Sequence, residues 1–79
     1  MFQVVRIALD DDGTSCTRRP LQPLYELWDD ASAMAEFDAS RLWGDYGWDD
    51  ARQCWWATDS RGHAYRFVIE EAETLRMHA

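Results

Sequence analysis

The chain reads as a small α+β domain: a small antiparallel sheet of about four strands, in the order ββαββ, with one main helix packed on one face. Three observations predict this. Alternating β-branched and aromatic runs stand near both ends of the chain. An alanine-rich stretch with helical spacing occupies the middle. Turn residues punctuate both ends, at Asp10-Asp11-Asp12-Gly13 and at Asp59-Ser60-Arg61-Gly62. All 79 residues fit one domain. No linker, repeat or shift of composition marks a second.

Phe2–Leu9 is β-branched and apolar, so it predicts the first strand, with Gly13 free to close the turn after it. Period two puts Val5, Ile7 and Leu9 on one face, read as core, and Val4, Arg6 and Ala8 on the other. Residues 14–18 return as a second strand. Pro20 and Pro23 place that strand at a sheet edge or lead it out of the sheet. A helix could then start at Pro23, or after the candidate N-caps Asp29 and Asp30, following a short extended run with Tyr25 and Leu27. The later start is preferred. Over 31–42, Ala31, Met34, Ala35, Ala39 and Leu42 share the buried face, with Asp38 at its margin. Gly44 and Gly47 then end the helix, and residues 43–50 read as a loop.

Residues 53–70 predict a hairpin. A four-residue turn at 59–62 sets Thr58 opposite His63, Trp56 opposite Tyr65 and Trp55 opposite Arg66. Cys54, Trp56, Tyr65, Phe67 and Ile69 then form the core face, and Gln53, Trp55, Arg66 and Val68 the outer one. The residues from Glu70 onward read as a polar tail.

Composition narrows the function. Fifteen Asp plus Glu oppose eight Arg, for a formal net charge of −7. That excludes the basic stripe a nucleic-acid binder needs, and suits either solubility or a basic partner. Five Trp, three Tyr and three Phe let so short a chain build a core. Cys16 and Cys54 lack metal or redox spacing and read as reduced thiols. With no signal core and no membrane-spanning run, the expected location is cytoplasmic. No catalytic motif, phosphate loop or zinc spacing is present, the three consecutive Asp lack calcium-loop spacing, and His63 and His78 have no partners nearby in sequence. The expectation is therefore a non-enzyme without cofactor or metal.

Two surfaces remain as partner-binding candidates. One is the loop with Trp43, Asp45, Tyr46, Trp48, Asp49 and Asp50. Its rings either form an interface hot spot or fold back to cap the core. The other is the outer hairpin face, where Trp55 can stack on Arg66 and where Val4, Arg6 and Val68 extend an exposed patch.

In size, acidity and lack of a catalytic kit, the chain resembles the small anti-CRISPR proteins that phages encode against multisubunit type I systems. The resemblance is one of type and carries no shared motif. It implies a stoichiometric inhibitor in the host cytoplasm that binds a subunit of the surveillance complex and blocks target DNA. Charge competition is the physical account: Asp45, Asp49, Asp50, Asp29, Asp30 and the 10–12 carboxylates would occupy a basic groove, with Trp43 and Trp48 as apolar anchors. A reading from another class is a non-catalytic bacterial domain of regulatory role, self-associating through the hairpin face. A third is a small-molecule or metal binder at the acidic loop.

Overall fold

The computed structural model describes residues 1–10 and 15–72, and the backbone alone at 15 and 16. Residues 11–13 of the expected first turn, the side chain of Cys16, and the tail 73–79 with His78 lie outside the described residues.

The order is β1 (Phe2–Leu9), β2 (Ser15–Pro20), α1 (Trp28–Ser40), β3 (Trp43–Asp49), β4 (Cys54–Asp59) and β5 (Ala64–Glu71). All pairings are antiparallel, in one five-stranded sheet of order β2-β1-β5-β4-β3. The α+β class with one helix on a sheet is as expected; the strand count and order are not. The chain leaves the sheet at one edge and re-enters it at the other, and α1 between them lies over β1, β5, β4 and β3.

Helix α1 starts before the predicted cap. Leu27 is the N-cap, in extended backbone and without a side-chain cap bond, and Asp29 and Asp30 lie in the first turn, where they favour the helix dipole. Packing accompanies the earlier start: the half-exposed Trp28 ring meets Trp48, edge on, at 6.2 Å. Ala31, Ala35 and Ala39 are fully buried against the sheet, and their small size permits that close approach. Met34, expected beside them, is exposed, and Leu42 lies beyond the helix end and is half-buried.

Residues 43–50, expected as a loop, contain strand β3. Its glycines do not stop the helix; they let β3 lie tight against β4. A Cβ on Gly44 would collide with the Thr58 carbonyl, and one on Gly47 would meet the Trp56 indole at 3.0 Å. The aspartates and glycines hide the strand from a propensity reading.

The β4–β5 register differs by one residue from the prediction. Trp55 pairs with Phe67, Trp56 with Arg66, Ala57 with Tyr65 and Thr58 with Ala64. The turn holds three residues rather than four, since the Asp59 amide donates to the His63 carbonyl at 3.0 Å and Gly62 takes φ 86°. The Asp59 carboxylate fixes it by accepting from the Arg61 and His63 amides, each at 2.9 Å. One step of register exchanges the faces of β4. Trp55 and Ala57 therefore join Phe67, Tyr65 and Ile69 under the helix, while Cys54 and Trp56 move to the open face with Arg66 and Val68.

Strand β1 is reversed in the same sense. Val4 pairs with Ile69 and Arg6 with Phe67, so Val4, Arg6 and Ala8 face the helix, and Val5, Ile7 and Leu9 face outward. Val5 is nonetheless buried. Its ladder neighbours are Pro20 and Val68, and the Arg18–Glu70 ion pair, at 2.7 Å, bridges over β1 at its level. The core proper is Val4, Ala31, Ala35, Ala39, Ala57 and Phe67, with Phe2, Tyr25, Trp55, Tyr65 and Ile69 packed around it.

Candidate functional site

The sequence candidates fall into three groups. The first is the aromatic wall between α1 and the β3 edge. Trp48 pairs with Trp55 in the ladder, and their rings meet at 5.3 Å. Tyr46 lies 6.5 Å from Trp55. The Trp55 indole N–H donates to Ser32 Oγ on α1 at 3.2 Å. Trp48 thus folds back to cap the core, and Trp55, expected on the outer face, belongs to this wall. Its expected stacking on Arg66 is replaced by the pairing of Trp56 with Arg66 on the open face. Tyr46 is half committed, with 43% of its surface exposed.

The second group is the acidic turn after β3. Asp49 accepts from the Arg52 amide at 3.1 Å and from its guanidinium at 3.2 Å. That amide bond, ahead of the guanidinium's own bond and charge, outweighs desolvation and holds the Asp49 carboxyl below its ordinary value. Asp50 accepts from the Trp48 indole at 3.3 Å and from the Gln53 amide side chain at 3.2 Å. These bonds close a turn in which Gln53 has φ 54°. Two of the carboxylates singled out for a partner are therefore engaged in holding the turn. Asp29 and Asp30 gather at the same end of the molecule, because Trp28 stacks on Trp48.

The third group is the start of β3. Trp43 is 86% exposed and stands at φ 70°. Asp45 is exposed, and its amide is held by Thr58 Oγ1 at 3.0 Å. Trp43 lies roughly 17 Å along the strand from Trp48, at about 3.3 Å per residue. The predicted loop site is thus two separate places, an acidic turn tied to itself and an exposed Trp–Asp corner.

Sequence reasoning missed Phe37, 54% exposed, and Trp56, 38% exposed. A helical wheel could have found the first, since it sits opposite the Ala31, Ala35 and Ala39 stripe. The second required the correct register. His63 does gain a partner: its Nδ1 lies 3.2 Å from Asp59 Oδ2, to which the Tyr65 hydroxyl also donates at 3.3 Å. That carboxylate already accepts two turn amides, so the cluster serves the hairpin. Cys54 is buried, and desolvation, with the Asp49 charge, pushes its thiol up. Among the described residues no group of three His, Cys, Asp or Glu is placed to hold a metal ion. No helix of the described residues is long and apolar enough to cross a membrane. Comparison of the chain with protein-family models, with curated proteins and with solved structures finds no match.

Proposed function

We propose that the chain is a non-catalytic binding protein whose partner docks on the β3 edge, with Trp43 as the anchoring side chain. Trp43 itself carries the reading. Its indole is almost wholly in water, and at the first position of β3 its backbone takes a left-handed conformation that favours Gly or Asn. Such a conformation costs about 1–3 kcal/mol for a residue with a Cβ. The ladder pairing with Asp59 holds the backbone in place, but the ring itself stays in water, so a partner pocket is its natural place. Tyr46 and Asp45 flank it, and β3, as an outer strand, presents alternate backbone groups for pairing. The net charge of −7 favours a basic partner surface.

The sharper form is a stoichiometric anti-CRISPR inhibitor that blocks target DNA binding by a type I surveillance complex. Its support is the resemblance of type together with the charge. DNA-binding anisotropy with purified type I complexes tests it. The expected result is loss of DNA binding at one or a few equivalents, with Trp43→Ala weakening inhibition about tenfold or more. Asp45→Lys should weaken it less, and mostly at low salt. No inhibition of any subtype would sink the CRISPR reading; inhibition indifferent to Trp43→Ala would sink the β3-edge reading.

A second reading, self-association through the hairpin's outer face, has one supporting observation: Trp56 stands partly exposed there beside Arg66. Sedimentation equilibrium showing a strict monomer at high concentration removes it.

A further inference from the structure

On the flank of α1 away from β3, an open cleft of about 360 Å³ lies between the helix end and β1, lined by Arg6, Leu21, Gln22, Asp38, Arg41, Leu42 and Phe67. Its walls are fixed. The Leu21 amide donates to the Val4 carbonyl at 2.8 Å, Phe67 is a buried core residue, and Leu42 packs on the core. The charges are unusual for so acidic a chain. Arg6 and Arg41 have no ion pair within 4 Å among the described residues. Each guanidinium lies instead over a ring, Arg6 over Tyr65 at 5.9 Å and Arg41 over Phe37 at 5.3 Å.

Arg6 is also directly opposite Arg19 in the β1–β2 ladder, so both fall on the helix-facing side. Like charges opposite each other destabilise a sheet. Arg41 adds a third guanidinium beside this pair, so positive charge is concentrated here. Asp38 is the counter-charge at hand. Burial pushes its carboxyl above its ordinary value, and the pull of Arg41 and Arg6 does not overcome that.

We propose that this cleft is a binding site for a small organic monocarboxylate, with the Arg6 and Arg41 guanidiniums holding the carboxylate and Leu21 and Leu42 receiving a short apolar body above the buried Phe67 ring. Guanidinium forks match carboxylates in geometry, and each charge-assisted bond gains strength beside apolar walls. The Asp38 carboxylate selects against dianions by repulsion. The volume is at the small end of ligand sites, which limits the body to a few carbons. The site is separate from the β3 edge and does not depend on the docking reading.

Titration of the ¹⁵N-labelled protein with hexanoate tests the proposal, with hexanol and acetate as controls for the head and the body. The expected result is saturable amide shifts at Arg6, Leu42 and Phe67 with hexanoate, and binding about tenfold or more weaker for either control, as expected for loss of a charge-assisted bond or of the buried chain. Arg6→Gln and Arg41→Gln should each reduce hexanoate affinity by a similar factor, and Arg19→Gln, outside the cleft lining, by less. Absence of saturable shifts at the cleft overturns the proposal, as does equal binding of hexanol. The wild-type comparison of the three probes decides the matter even where a variant fails to fold.

Discussion

The two flanks of α1 use charge and aromatic surface in opposite ways. On the β3 flank, rings stack on rings from Trp28 through Trp48 to Trp55, and the Asp49 and Asp50 carboxylates accept bonds from their own turn. On the β1 flank, guanidiniums stand beside apolar walls without a carboxylate in contact, and Arg6 faces Arg19 across the ladder. An acidic chain thus engages part of its negative charge in structure and leaves positive charge open in its cleft. The number of charges in a segment says little about their availability; that depends on whether the fold has already given each one a partner.

The largest effects should come from the self-satisfied flank. Trp55→Ala removes the ring that joins α1, β3 and β4, and should cost about 3 kcal/mol of stability in urea denaturation. Trp43→Ala should change stability by less than about 0.5 kcal/mol, since exposed side chains contribute little. Equal losses at the two tryptophans would break the distinction between wall and corner. Gly44→Ala should cost about 2 kcal/mol, because its Cβ meets Thr58 backbone rather than a side chain that can swing away.

These same residues show where the sequence was legible. The first strand, the β1–β2 hairpin and the edge position of a proline-bearing strand were all readable, because β-branched runs, turn residues and missing amides act locally. The alanine stripe named the buried face of α1 for the same reason. The faces of β4 were not readable. They depend on whether the Asp59 turn holds three residues or four, a choice made by two amide bonds to one carboxylate and by Gly62. Strand β3 was hidden because its glycines serve close packing while its aspartates imitate a loop. In β1 both alternating sets are mostly apolar, and the arginine that seemed to mark the solvent side lies under the helix flank, where the cleft lets its guanidinium reach water. The candidate site was legible as a segment, but its division into a tied turn and an open corner depended on hydrogen bonds that composition does not encode.

The β1 flank should respond weakly, and in the other direction. Arg6→Gln removes a repulsion with Arg19 of about 0.2–1 kcal/mol and a ring contact of about 0.5–1 kcal/mol. With the attraction to Asp38 also lost, these terms nearly cancel, so stability in urea denaturation should stay within about 0.5 kcal/mol of the parent. A loss of 2 kcal/mol or more would show that Arg6 is structural and that the two flanks are alike.

Asp38→Asn should give the smallest effect and the most specific one, because its sign depends on pH. The groups facing Asp38 are the guanidiniums of Arg6 on β1 and Arg41 after the helix. The folded carboxyl titrates above its unfolded value because burial outweighs their attraction. Folding is therefore favoured by the protonated form. That contribution is fully present below the unfolded value near 3.8 and is lost as pH rises through the folded one. At neutral pH the ionised side chain destabilises the domain slightly, so the neutral, nearly isosteric Asn should raise the melting temperature there. The advantage should shrink as the solution is acidified through the folded value, where Asp38 itself becomes neutral. A variant less stable than the parent at pH 7 would mean that the two guanidiniums hold Asp38 more strongly than burial repels it, and the β1 flank would then be as self-satisfied as the β3 flank.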